Sequence, residues 1–387
     1  MKIQPFIVIA IVASVFLPQT FGQVNAVVTD NQLLATAVIS QDAPTEDKAE
    51  EAAEAFRLFK NDPAGLEING WMAIGNGALA DMNLTSGSLN PGVTGLNQLG
   101  ISLDKAGDKF RLHLDVLYGR DATVFRSFGN AGNGWDNSAG FVHGDHAMAL
   151  PQAFAETTAG DWTIKAGHFL ANGPSGQYST DRFFATRTLT EAFFDAKILT
   201  GVIGSRKIGK TAVTIGWAAG TNTGFDNMSS AEQNGTFVLG LERNLGDKWS
   251  VTYNALFGDM SLGDHPVAGD VLEQSYNHNL TINYEASDRL KFELTHIYRE
   301  TNAVDELTFY GYRQTAYYVL SDKIKLAQRY EYHTHSNFLD QSVESLSVGM
   351  NYQNSRWSNV LLRPEIRWEN VDDISQTDFF MDVVITF

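Results

Sequence analysis

Alternating hydrophobicity, links of alternating length and an aromatic final residue together predict an all-β chain, a transmembrane antiparallel β-barrel of about sixteen strands. A short amphipathic helix is expected on the periplasmic side before it. Phe110, Leu112, Leu114, Val116 and Tyr118 interleave with Arg111, His113 and Asp115, and Trp249, Val251, Tyr253, Ala255 and Phe257 with Ser250, Thr252 and Asn254. Leu290, Phe292 and Leu294 flank Lys291 and Glu293, and Leu362, Pro364, Ile366 and Trp368 alternate with Arg363, Glu365, Arg367 and Glu369. A period of two puts one set on each face of a strand.

A soluble sandwich alternates too, so the links must choose between the two. Long links are read at Gly77–Thr94, Gly119–Gly144, Ala171–Ala196, Thr221–Asn234, Gly258–Leu272, Thr301–Glu306, Thr334–Gln341 and Asn370–Gln376. Between them lie the short turns KAGDK, TAGDW, KIGKT, NLGDKW, EASDR, LSDK and QNSRW. Outer-membrane barrels alternate in this way, because their periplasmic turns are tight and their outward loops extended. Strands of roughly ten residues suffice to cross a bilayer at a tilt, and a barrel of this size encloses an aqueous channel. Alternation is weakest around Ala147–Thr157 and Leu307–Leu320.

The two ends of the chain add separate signals. Lys2 and the apolar run from Ile7 to Leu17 read as a secretory signal peptide over residues 1–22, with an uncleaved membrane-anchoring start as the alternative. Residues 23–65 are expected to be periplasmic, with Ala49, Ala52, Phe56 and Phe59 at helical spacing; a linker, a plug or a subunit contact would all fit. The barrel should occupy residues 66–387. In its last strand Phe379, Met381, Val383, Ile385 and Phe387 share one face. Trp71, Tyr118, Trp162, Trp249, Tyr298 and Trp368 fit girdles at the membrane surface, or are simply strand aromatics. Pro364 removes a ladder donor, which points to a bulge or bend.

Composition excludes several classes. The chain is 43% hydrophobic, yet past the leader it has no unbroken apolar stretch long enough for a spanning helix. It has no cysteine, hence no disulfide or zinc-cysteine site. A formal charge of −17 argues against nucleic acid as a partner. His143 with His146, and His333 with His335, lack the ligand count of a zinc site, so neither metal nor cofactor is expected. Residues 201–210, GVIGSRKIGK, imitate a phosphate loop without its spacing.

Several segments resemble the β-barrel porin-2, OmpL-like family of bacterial outer-membrane proteins. They are NGWMAIGNG at Asn69–Gly77, LNQLGISLDK at Leu96–Lys105, LDVLYGRDA at Leu114–Ala122 and LPQAFAE at Leu150–Glu156. IKAGHFLANGPSG at Ile164–Gly176, RFFATRTLT at Arg182–Thr190, LTGVIGS at Leu199–Ser205, LLRPEIRWE at Leu361–Glu369 and the last strand follow in the family's order. The chain departs from it after Phe169, where the family carries a Pro-Ile-Gly turn and a Pro-Phe-Thr-His segment. The resemblance implies an outer-membrane porin and brings no catalytic residue with it.

The functional residues of a pore are those facing its lumen and those of any loop that narrows it. The alternation assigns Arg111, His113, Asp115, Lys291, Glu293, Arg299, Lys325, Arg329, Glu331, Arg363, Glu365, Arg367 and Glu369 inward. Opposite charges recur two residues apart, so these either line the path or pair and stiffen the wall. The link Ala171–Ala196 carries Asp181, Arg182, Arg187, Glu191 and Asp195 with Phe183, Phe184, Phe193 and Phe194; by analogy with porins it folds inward as a constriction, and otherwise it is a surface loop.

The expected function is an outer-membrane porin for passive diffusion of small hydrophilic solutes, without enzymatic activity. It would sit in outer-membrane lipid, as a homotrimer by analogy. A barrel lipase or protease and an adhesive or structural barrel with a plugged lumen are the alternatives, although no G-x-S-x-G or H-E-x-x-H pattern supports an enzyme. Asp259, Asp264, Asp270, Asp305, Asp372 and Asp373 would draw cations to the mouth, within a screening length of about 8 Å. The inward set holds more basic than acidic residues, so weak anion preference or none is expected.

Overall fold

The computed structural model describes residues 66–77, 82–83, 88–89, 94–125, 145–171, 178–189, 198–225, 235–261, 272–301, 308–336, 342–371 and 373–387. The expected signal peptide and amphipathic helix lie outside the described residues. Sixteen antiparallel strands close into a barrel. They are β1 (Leu66–Gly75), β2 (Gly95–Ala106), β3 (Phe110–Gly119), β4 (Ala147–Ala159), β5 (Trp162–Leu170), β6 (Ile198–Ile208), β7 (Thr211–Thr221) and β8 (Thr236–Asn244). The second half comprises β9 (Trp249–Ser261), β10 (Leu272–Ser287), β11 (Leu290–Thr301), β12 (Thr308–Ser321), β13 (Ile324–Ser336), β14 (Ser342–Gln353), β15 (Val360–Val371) and β16 (Ile374–Thr386). Each pairs with its neighbours in sequence, and β1 pairs with β16 to close the ring. A ring leaves no strand edge with unsatisfied backbone groups, which hydrocarbon would not tolerate.

The terminal residue takes part in the closure. The Gly70 and Phe387 backbones exchange hydrogen bonds at 2.6 and 2.8 Å, and the Phe387 ring lies over residue 70 so closely that a Cβ there would run into it. Glycine at 70 is therefore the counterpart of the final aromatic.

The two faces separate as the alternation requires. Leu112, Ile215, Trp249, Phe257, Ile366 and Phe379 are exposed on the outside, whereas Arg313, Arg329, Glu331, Arg363, Glu365 and Arg367 are buried within. This inverts the arrangement of a soluble protein and suits a chain whose outer solvent is lipid. Trp71 departs from its expected girdle position. It points inward, is 6% exposed, donates from Nε1 to Gln98 Oε1 at 3.0 Å and packs against Tyr178. The outward positions beside it on β1 are Met72 and Ile74, so parity decides its side.

Link lengths follow the expected rhythm as far as β14, after which there are two exceptions: the β14–β15 turn takes residues 354–359, with a 3-10 turn at Ser355–Trp357, and so exceeds the β13–β14 link of residues 337–341, and the last link is short. Between β15 and β16 only residues 372–373 intervene, with Asp373 at φ 70° and Val371 paired with Ile374. The stretch NVDDISQ looks like a long loop because Asn, Asp and Ser all favour turns, but a tight turn uses the same residues. Pro364 produces neither bulge nor shift. Its pairing with Met381 on β16 is unbroken, and towards β14 the ladder runs from Gly349↔Glu365 to Tyr352↔Leu362 in constant register with the intervening pairs missing. The lost N–H is thus confined to one side of one strand.

Candidate functional site

Sixteen strands leave room inside the ring, and part of that room is taken by the third long link. Residues 178–189, between β5 and β6, run along the inner wall. Their backbone needs partners there, and inward side chains of the barrel supply them.

The firmest attachment is to β13–β16. Glu365 accepts from the Thr186 backbone N–H at 2.9 Å and from its hydroxyl at 2.7 Å. Glu331 accepts from the Leu189 N–H at 3.0 Å. Arg363 donates to the Ser179 and Arg182 carbonyls, both at 2.6 Å, while its Nε holds Asp382 at 2.7 Å. Arg329 donates to the Thr186 hydroxyl at 2.8 Å, and Arg367 to the Arg187 carbonyl at 3.1 Å. Glu365 is the sixth residue of the twelve in β15, so the contact lies near half depth.

Aromatic packing adds to the polar contacts. The Arg329 guanidinium lies 4.4 Å from the Phe184 ring centroid, and Phe183 meets Tyr317 edge-on at 5.5 Å. Phe184 reaches the wall because residue 349 is glycine; a Cβ there would stand 2.8 Å from the ring.

The other attachment is to β2 and β3. The Tyr178 hydroxyl donates to Asp115 at 2.6 Å, and the Ser179 N–H to Gln98 at 2.9 Å. Gln98 also donates to Asp121 at 2.8 Å, and Asp121 stands 3.4 Å from both Arg182 and Arg187. Asp121 opens the short 3-10 helix Asp121–Phe125, which caps β3, and the Arg187 guanidinium sits 4.8 Å from the Phe125 centroid. Burial, with Arg187 and Arg363 nearby, brings Arg182 down to about 10. Burial raises Asp181 above the usual carboxylate range and Tyr178 well above an ordinary phenol, the latter helped by Asp115.

All the inward strand assignments fall on the inner face, in two environments. Arg329, Glu331, Arg363, Glu365, Arg367 and Glu369 are buried under residues 178–189 or in ion pairs beside them; Arg367 Nε and Glu369 are 2.5 Å apart. Arg111, His113, Lys291, Glu293 and Lys325 keep partial exposure towards the short-turn end. Arg111 pairs with Asp104, and His113 lies 2.9 Å from Asp104 and 3.1 Å from Asp115. Glu293 pairs with Arg313 at 2.8 Å, and Arg299 is buried on β11. Of the loop candidates, Asp181, Arg182 and Arg187 are inside the barrel, whereas Glu191 and Asp195, with Phe193 and Phe194, lie outside the described residues. His143 does too; His146 stacks on Tyr118, and His333 is buried on the inner face of β13. Among the described residues no group of three His, Cys, Asp or Glu side chains is arranged to hold a metal ion.

Sequence reasoning passed over Gln98, Asp121, Tyr178, Ser179, Thr186 and Asp382. Only Asp382 was marked by periodicity, since it alternates with Met381 and Val383. The others matter because of where one segment lands, which no local pattern encodes.

The inner wall opposite is of another kind. Phe154, Phe169, Leu199, Ile203, Ala218, Val238, Leu256 and Met260 form a buried apolar cluster on β4–β9. The barrel interior is therefore ionic on the side of β13–β16 and apolar across from it.

Comparison with known proteins agrees with this architecture. The family model described as "Putative beta-barrel porin-2, OmpL-like" matches residues 66–387. The outer-membrane protein OmpT of Vibrio cholerae, solved in a trimer form, superposes with a TM-score of 0.55 at 13% identity, covering 83% of this chain and 99% of its own. The outer-membrane channel DcaP of Acinetobacter baumannii gives 0.54 at 12% identity over 86% of this chain and 99% of its own. An anion-selective porin from Comamonas acidovorans gives 0.51 at 11% identity over 83% and 99%. At such identities the likeness is one of fold. No curated protein sequence matches the chain.

Proposed function

The chain belongs to the putative β-barrel porin-2, OmpL-like family and is an outer-membrane porin; from that premise we propose that small hydrophilic solutes cross it by passive diffusion, past a constriction made by residues 178–189. The observation that carries this reading is the attachment of that segment at two places along one arc of the inner wall, to Glu365, Arg363 and Glu331 on β15 and β13 and to Asp115 and Gln98 on β3 and β2, with β16 and β1 between. A segment so held narrows the passage without needing a moving part.

In this reading the inward charges divide their work. Arg111, His113, Lys291, Glu293 and Lys325 line the water path. Arg329, Glu331, Arg363, Glu365, Arg367 and Glu369, with Asp115, hold the constriction; Arg299, Asp181, Arg182 and Arg187 complete the charge balance around it. Neither a metal nor a cofactor is required, and catalysis has no part. Lipid surrounds the barrel, and a homotrimer is the proposed assembly, supported by the trimer form of the Vibrio cholerae structure of similar fold. Crosslinking in outer-membrane vesicles that gave monomer alone would overturn the assembly.

Liposome swelling tests the diffusion reading. Neutral sugars of increasing size should enter at rates that fall smoothly with size and do not saturate with concentration. Saturable entry of a single solute would replace passive diffusion by a specific site.

A further inference from the structure

Several inward cations are matched by a carboxylate in contact: Arg363 by Asp382, Arg367 by Glu369, Arg313 by Glu293 and Arg111 by Asp104. Lys165 is not. The fourth of nine residues in β5, it stands opposite Glu156 on β4 and Ile203 on β6, and Glu156 is in turn opposite Arg111, so all three share the inner face. The half-buried ammonium makes no hydrogen bond and no ion pair with a described residue, and Glu156 attracts it from beyond ion-pair distance. What it touches is aromatic. Nζ lies 4.4 Å from the ring centroid of Phe154 and 5.7 Å from that of Phe169, both members of the apolar cluster that also holds Leu199 and Ile203. Phe154 stands opposite His113, stacked on it at 4.9 Å, and one inward step from Asp115, where Tyr178 attaches. The lysine side chain thus leans from the short-turn end towards residues 178–189.

Ring faces attract a cation through their quadrupoles but accept none of its protons in a full hydrogen bond, so the ammonium keeps donors to offer. Its apolar surround decides which anion takes them. Sulfate and phosphate lose most on leaving water, whereas an organic carboxylate brings a single charge and a body that the rings tolerate. We propose that Lys165 is a subsite for small monovalent organic carboxylates, which pause on its ammonium as they pass below the constriction. The inference rests on the diffusion reading and names the solute class that the passage favours. Glu156 keeps the pause brief, because its carboxylate repels the arriving one; conduction needs sites that are favourable enough to enter and weak enough to leave. Neutral sugars lack the charge and go by unretained.

Benzoate, sulfate and the neutral benzyl alcohol are the probes. In chloride solution benzoate should interrupt the single-channel current in proportion to its concentration, and the other two should not. Lys165→Met keeps the length of the side chain and its packing on the rings; it should weaken the benzoate effect about tenfold, the loss expected for one charged hydrogen bond. Lys165→Arg should keep the effect, and so should Lys109→Met in the exposed KAGDK turn. Equal effects of benzoate and sulfate, an undiminished effect in Lys165→Met, or an equal loss in Lys109→Met would each overturn the proposal. Saturation-transfer NMR of benzoate on the folded protein in micelles separates this site from conduction. Binding that Lys165→Met removes, in a protein that passes no current, would uphold the subsite and strike the diffusion reading alone. A conducting protein whose benzoate signal is the same in Lys165→Met would strike the subsite alone.

Discussion

Thr186 and Glu365 are separated by 179 positions, yet one carboxylate holds both the backbone N–H and the hydroxyl of that threonine, at 2.9 and 2.7 Å. This pairing fixes the middle of the inward segment to the middle of β15. Arg329 then bridges the two, reaching the Thr186 hydroxyl at 2.8 Å and Glu365 at 3.3 Å.

Removing Glu365 should release the segment. Glu365→Ala leaves Arg329 with a weaker partner set and strips Thr186 of both acceptors; breaking such a buried pair costs about 3–5 kcal/mol. Single-channel conductance should rise, with noisier open levels. Thr186→Val removes one hydroxyl at a cost of about 1 kcal/mol and should raise it less. Unchanged conductance in Glu365→Ala would separate residues 178–189 from the permeation path.

Arg363 and Asp382 should behave as a unit. Arg363→Met leaves the Asp382 carboxylate buried without its partner and frees two loop carbonyls, whereas R363M/D382L removes both charges. The double variant should be more stable to urea than Arg363→Met, measured by heat-modifiable gel mobility, because an unpaired buried charge costs more than a missing pair. A double variant less stable than the single one would show that this pair contributes more than its burial costs.

The inward pattern was legible because charge and apolarity alternate strictly on β3, β11 and β15. It was faint on β12 for a reason now visible: the outward positions there are Tyr310, Tyr312, Gln314, Ala316 and Tyr318, with hardly an aliphatic among them. It was faint on β4 because Ala147 and Ala149 pack inward against Leu117, Phe125 and Tyr178, which makes both faces of that strand apolar. Periodicity assigns a face but not what covers it. Hence Arg363 and Arg367 read as channel lining, although the structure buries both under a segment that only tertiary folding brings near. Nor could composition show that the polar NVDDISQ stretch is a two-residue turn.

Acid should tighten the seat of the segment at Asp181. Burial raises its carboxyl above the usual 3.8, so the neutral form is favoured in place; this contribution is fully present below that value and is lost as pH rises through the raised one. Amides 178–189 should exchange more slowly, after correction for intrinsic rate, at pH 4 than at pH 7. Asp181→Asn should flatten the difference. A steeper dependence in Asp181→Asn would assign the effect to other carboxylates.

Charge selectivity should be weak. Inside, Arg363 is matched by Asp382, Arg367 by Glu369, Arg313 by Glu293 and Arg111 by Asp104. Matched pairs leave little net field for a permeating ion. The reversal potential in a salt gradient should lie near zero or slightly towards anions. Arg111→Glu, at a partly exposed position, should move it towards cations. A strongly cation-selective parent protein would contradict this pairing argument.

The most direct measurement of the whole account is current across a planar bilayer holding the purified protein, with folding checked by heat-modifiable mobility. A water-filled channel narrowed by residues 178–189 predicts discrete, uniform conductance steps that grow in Glu365→Ala. Folded protein that inserts yet passes no steps, in both the parent and Glu365→Ala, would mean that the barrel is closed and that its function is not conduction.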